Sequence, residues 1–127
     1  MDNLNIVDEI YRLVVRMSDD QIAGLTVNRL AKQFAVSRCH LSRRFHDERG
    51  MTLNSFIQRR KLLLAEHRLS VDPDITVKQL ASSLGYADYQ YFISCFKEEW
   101  GASPGRYRKL FANYAEEGKP IMKIVSA

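Results

Sequence analysis

The sequence is poor in the residues that usually announce chemistry. It has only two cysteines, Cys39 and Cys95, and no Cys-x-x-Cys pair, which excludes a disulfide framework and a thiol redox motif. Cys39, His40 and His46 lack metal-ligand spacing, and the adjacent Cys39 and His40 leave a helix in different directions. No nucleophile–base pair stands out, and no glycine-rich loop could cradle a phosphate. Neither an enzyme nor a cofactor or metal is expected, and His67 reads as a helix-surface residue. No apolar run approaches the roughly 18 residues of a membrane span. The longest, such as Leu62–Ala65, are short and lie among charges. The start, Met1-Asp2-Asn3-Leu4, lacks the basic and apolar regions of a secretory signal. No segment sustains the period-2 alternation of a half-buried strand. What remains is a reduced, cytoplasmic, soluble, helical protein.

Against these absences stand an ordinary hydrophobic fraction of 46% and a net charge of +4 over 127 residues. That length suits one domain or two very small ones. The charge is unevenly spread. Residues 1–20 carry −3, residues 21–70 carry ten Lys/Arg against three carboxylates, and residues 71–112 and 113–127 are each neutral. A concentrated +7 stretch attracts a polyanion as a diffuse +4 would not, although a solvated basic face is the plainer alternative.

An internal repeat organises the chain. Thr26-Val27 with Leu30-Ala31 recurs as Thr76-Val77 with Leu80-Ala81, at an offset of 50. Phe45, Gly50, Thr52 and Phe56 then match Phe96, Gly101, Ser103 and Tyr107 at an offset of 51. Two copies are too few for a solenoid and fit two related subdomains. In each, a Thr-capped helix, a tight turn (Ala35-Val36, or Gly85) and a second helix capped by Ser37 or Asp88 form a helix-turn-helix. Gly50 and Gly101 close the second helices. An amphipathic helix over residues 4–17 covers the first subdomain. A long helix of about 17 residues, roughly 25 Å, starts at Thr52 or Asn54. Ser103-Pro104 opens the last helix. The expected fold is therefore all-α: about seven helices, with two helix-turn-helix subdomains joined by a long central helix. The expected boundaries are 1–51, 52–70, 71–118 and a loose tail, 119–127.

This geometry suits double-stranded DNA. The helix over 37–49 turns Leu41 and Phe45 inward and exposes Arg38, Cys39, Ser42, Arg43, His46 and Arg49. Arg43, mid-helix, has the fork that pairs with guanine O6 and N7. Arg38, Cys39, Ser42, Arg43 and His46 are the candidate base contacts here. The helix over 88–100 offers Tyr89, Gln90, Ile93 and Ser94 to bases, with Gln90 suited to adenine and Ile93 or Tyr89 to thymine methyls. It has no arginine on that face, so it is expected to discriminate less. Candidate phosphate ligands are Ser37, Arg44, Arg49, Arg59, Arg60, Lys97 and Arg108, with Lys61 beside Arg60. The long helix is expected to set the two readers about one DNA turn (~34 Å) apart, in successive major-groove segments.

Two stretches carry a resemblance. Ser37-Arg38-Cys39-His40-Leu41-Ser42-Arg43-Arg44-Phe45, Gly50-Met51-Thr52 and Phe56-Ile57-Gln58-Arg59-Arg60-Lys61 form the first. The second runs through Ile75-Thr76-Val77, Leu80-Ala81, Gly85-Tyr86-Ala87-Asp88, Tyr91-Phe92, Phe96-Lys97, Gly101, Ser103-Pro104 and Tyr107-Arg108. Together, over about residues 5–110, the chain resembles the AraC/XylS family of bacterial transcription regulators. The resemblance implies seven helices, base reading by Cys39, Ser42 and Arg43 and by Tyr89, Gln90, Ile93 and Ser94, and activation by contact with RNA polymerase at the nucleoid. It departs from the family pattern at Cys39 and at Ser94, where arginine is frequent, which implies weaker reading by the second helix. The length leaves no room for a sensor domain. The chain is similar to the short stand-alone members, or to the DNA-binding half of a larger protein. Monomer binding is expected, with a dimer left open. The competing reading is a protein-interaction module that descends from a DNA-binding domain and pairs with another regulator.

Overall fold

A computed structural model describes residues 5–116, with side chains to residue 110. The described residues form eight helices and no strand: α1 (Ile6–Val15), α2 (Asp19–Ala23), α3 (Val27–Gln33), α4 (Arg38–Arg49), α5 (Leu53–Val71), α6 (Val77–Ser83), α7 (Tyr89–Trp100) and α8 (Pro104–Glu116). The all-α expectation with paired helix-turn-helix units holds. The expected tail, 119–127, lies outside the described residues.

The helix absent from the sequence reading is α2, a five-residue turn. Its signal was present: Ser18 and Gln21 form a reciprocal capping box, Ser18 Oγ accepting from the Gln21 N–H while Gln21 Oε1 accepts from the Ser18 N–H at 3.0 Å. The apolar content of such a short helix is too small to show a period, so the cap was its one legible mark.

The chain divides into two compact units between Lys61 and Leu62, inside α5. In the first unit, Val7, Ile10 and Val14 bury one stripe of α1, and Leu30, Leu41, Phe45, Leu53 and Ile57 complete a core that is essentially closed to solvent. Spacings of three and four residues place these side chains on single helix faces. Phe45 lies 5.4 Å from Phe56 between ring centroids, and Tyr11 stacks on the same Phe56 at 5.1 Å. In the second unit the core is more aromatic. Phe96 sits among Phe92, Trp100 and Tyr107, with centroids 5.9, 6.3 and 5.6 Å away. Two polar anchors hold this cluster: Trp100 Nε1 donates to the Leu62 carbonyl at 3.2 Å, and the Tyr107 hydroxyl to Glu66 at 2.6 Å. Burial, reinforced by that hydrogen bond, raises the Tyr107 phenol above its ordinary pKa and keeps it a donor.

Each helix-turn-helix turn is closed by the same backbone device. Val36 N–H bonds the Ala31 carbonyl and Ala35 N–H bonds the Lys32 carbonyl; Tyr86 and Gly85 repeat this on Ala81 and Ser82. These are Schellman closures, whose left-handed position suits glycine. The second unit supplies Gly85 there at φ 87°, but the first has Ala35 at φ 58°. A Cβ in that region is strained by roughly 1–2 kcal/mol. Ala35 is exposed, so its methyl loses little packing. Ala35→Gly is therefore expected to stabilise the protein, by about 0.5–1 kcal/mol once the larger unfolded-state entropy of glycine is subtracted. Urea denaturation checks this, and a lower midpoint for the variant would contradict the strain argument.

Candidate nucleic-acid interface

The two second helices of the repeats share one register. Thr26, Ser37 and Asp88 cap α3, α4 and α7 through their side chains, accepting from Arg29, His40 and Gln90 N–H groups at 3.1, 3.0 and 2.9 Å. Both α4 and α7 run 12 residues and end on a left-handed glycine, Gly50 or Gly101. Leu41 and Phe45 of α4, and Phe92 and Phe96 of α7, are fully buried. With those pairs inward, the opposite faces carry matched positions: Arg38 and Tyr89, Cys39 and Gln90, Ser42 and Ile93, Arg43 and Ser94, His46 and Lys97.

On α4, Arg38, Cys39, Arg43 and His46 are exposed and Ser42 half-exposed. On α7, Gln90, Ser94 and Lys97 are exposed, while Tyr89 and Ile93 are half-buried. All nine expected base contacts thus lie on the outward faces of two equivalent helices. The faces differ in charge: α4 carries four arginines against two carboxylates, and α7 one lysine against two. Ser37, Arg59 and Lys97, three of the expected phosphate ligands, are exposed as well.

The arginines are not equivalent. Among the described residues, Arg38 and Arg43 form no ion pair. Arg44, Arg49, Arg60 and Arg108, also expected phosphate ligands, are engaged within the protein, and Arg59 too has an interaction of its own. Arg44 pairs with Glu48 at 2.9 Å and reaches Asn5, whose side chain also caps α1 and donates to Glu48 at 2.7 Å. The hydrogen bonds from Arg44 and then Asn5 hold the Glu48 carboxyl below its ordinary pKa. Arg49 pairs with Asp8 at 2.7 Å and lies 4.3 Å over the Tyr11 ring. Arg60 donates to the Val15 carbonyl at 3.1 Å, a cation at the C-terminus of α1. Arg108 donates to the Ile75 carbonyl. The Nε atoms of Arg60 and Arg108 are buried against the protein, although both side chains stay partly exposed. Lys61, expected beside them at the surface, is only 7% exposed, and burial lowers its pKa. For Arg49, Arg60 and Arg108 the acceptors lie on α1 and between α5 and α6 and come within reach once the helices pack, whereas the Arg44–Glu48 pair lies within α4.

Three further residues lie beside these faces. Asn5 joins the start of α1 to α4, and an Asn just before an apolar-periodic run was a readable N-cap. His40 is exposed on α4. Lys78 of α6 lies 5.1 Å over the Tyr89 ring, placing a cation beside the start of α7. No sequence signal marked the last contact. Among the described residues no group of His, Cys, Asp or Glu is arranged to hold a metal, and no helix is long and apolar enough to cross a membrane.

A family model described as a helix-turn-helix domain matches residues 30–110, well over half of the chain. The chain belongs to the AraC-type helix-turn-helix family. The xylose operon regulatory protein of Escherichia coli (strain K12) is 31% identical over 87 residues, covering 68% of this chain and 22% of that protein. The probable transcription factor PqrA of Proteus vulgaris is 26% identical over 106 residues, covering 83% of this chain and 84% of that protein. Several other curated relatives are longer, and the chain spans 21% to 37% of their length. Among solved structures, the DNA-binding domain of AdpA, a global transcriptional factor in complex with a target DNA, matches with a TM-score of 0.74 at 21% identity. That match covers 92% of this chain and all of that one. This AraC-type domain thus has the fold of a domain solved on DNA.

Proposed function

We propose that the chain is a sequence-specific, double-stranded DNA-binding transcription regulator that places α4 and α7 in successive major-groove segments. The observation that carries this is the outward face of α4. Arg38 and Arg43, without an ion-pair partner among the described residues, flank Cys39 and Ser42 on a helix built like the one in the second unit. Unpaired guanidiniums on a surface helix are available to guanine edges and phosphates. In this reading α4 dominates through Arg43, with Cys39, Ser42, His46 and Arg38 beside it. On α7, Gln90, Ile93, Ser94 and Tyr89 supply contact and register with less discrimination. Ser37, Arg59 and Lys97 meet phosphates.

Several further points belong to the same reading. The chain binds as a monomer carrying both readers, acts in the bacterial cytoplasm at the nucleoid, and activates by touching RNA polymerase. The relatives named as transcription regulators and the basic 21–70 stretch support it.

Selection from a randomised duplex pool tests the proposal and identifies the target together. An enriched site with stronger constraint at the half facing α4 is expected. A module that only pairs with another protein would shift no duplex even at low salt, where phosphate contacts are strongest.

A further inference from the structure

We infer that Asp8, on the helix covering the first unit's core, is a specificity-determining residue: it holds Arg49 away from the DNA backbone and so lowers affinity for duplexes of any sequence. The inference rests on the DNA-binding reading above. Arg49 ends α4, and its spacing from Arg38 and Ser42 places it on the edge of the outward stripe. A guanidinium there is positioned to meet a phosphate, a contact that adds affinity without sequence information. Two groups on α1 hold it instead. Asp8 Oδ1 accepts from Arg49 at 2.7 Å, and the Tyr11 ring lies under the guanidinium at 4.3 Å. Tyr11 is itself fixed by its near-parallel stack on Phe56, with 16° between the planes. The pair is open to water, with side chains 34% and 45% exposed for Arg49 and Asp8. Such pairs are weak and can be opened by one substitution. A carboxylate in the first turn of α1 also favours the helix dipole, but that role needs no arginine and does not touch DNA.

The test compares the salt dependence of binding to a random-sequence DNA duplex, by fluorescence anisotropy, with thermal unfolding as the folding control. Asp8→Asn is expected to steepen the slope of log affinity against log salt by roughly 0.9, the signature of one more phosphate contact. Between 200 mM and 50 mM salt its affinity then rises about threefold more than that of the wild type. In an Arg49→Ala background the same Asp8→Asn change is expected to leave the slope where it was. A folded Asp8→Asn protein with the wild-type slope overturns the inference. So does a steeper slope that persists without Arg49, which would make Asp8 a distant repulsive charge. If Asp8→Asn fails to fold, Asp8→Ala removes the same carboxylate and must steepen the slope in its place. A wild-type chain that binds no duplex at low salt removes the DNA-binding reading itself.

Discussion

Phe96→Ala is expected to destabilise the protein by about 3–5 kcal/mol, the largest effect of any single substitution considered for it. Phe96 is fully buried and central to the aromatic cluster of the second unit, touching Phe92 and Trp100 of its own helix and Tyr107 of α8. Truncation removes the transfer free energy of the ring and leaves a cavity that three other rings must collapse into. Their freedom to do so is small. Trp100 is tied to the Leu62 carbonyl and Tyr107 to Glu66, so a shift that fills the cavity breaks a buried hydrogen bond. Small domains have total stabilities of only about 5–15 kcal/mol, so this loss consumes much of the margin. Urea denaturation followed by tryptophan fluorescence reports on it directly, since Trp100 is the sole tryptophan and sits in the cluster. A loss below about 1 kcal/mol would mean that the cluster is loosely packed.

Arg43→Ala is expected to leave stability nearly unchanged and to cost about 1–3 kcal/mol of binding at one base pair of the selected site. Arg43 is exposed, and among the described residues it forms no ion pair, so nothing in the fold depends on it. Its planar fork is the group that discriminates guanine, so Arg43→Lys should also relax specificity while keeping the charge. Ser94 occupies the matched position on α7, and Ser94→Ala is expected to cost less binding than Arg43→Ala, since a hydroxyl lacks the bidentate fork. The readout is affinity for the selected duplex and for single-base variants of it. Should wild type and Arg43→Ala discriminate equally among those duplexes, Arg43 is not a base reader.

Much of this fold was legible because the signals were local. The Thr26, Ser37, Thr76 and Asp88 caps act on N–H groups two or three residues away. The spacing of Leu41 and Phe45, or Phe92 and Phe96, needs only helical geometry to become a buried face. Even α2, the helix that was missed, had a local mark in Ser18 and Gln21. The outward face of α4 followed from the same periodicity, and no residue expected on it is buried. The fate of the other basic residues was not legible. Arg44 has a local ion-pair partner in Glu48, four residues on, but the partners of Arg49, Arg60 and Arg108 lie 41, 45 and 33 residues away in the chain. Lys61 follows Gln58, Arg59 and Arg60 in what reads as a polar run, yet its position on α5 turns it into the protein.

The amino-acid sequence by itself determined the repeat, the longer helices and the outward faces of α4 and α7, because caps and apolar spacing act within one or two helical turns. Only the tertiary structure decided which arginines remain available to a polyanion. A guanidinium reads whatever acceptor packing brings within reach. For Arg49, Arg60 and Arg108 that acceptor comes from a distant stretch of the same chain, and for Arg38 and Arg43 no carboxylate among the described residues comes close enough to pair.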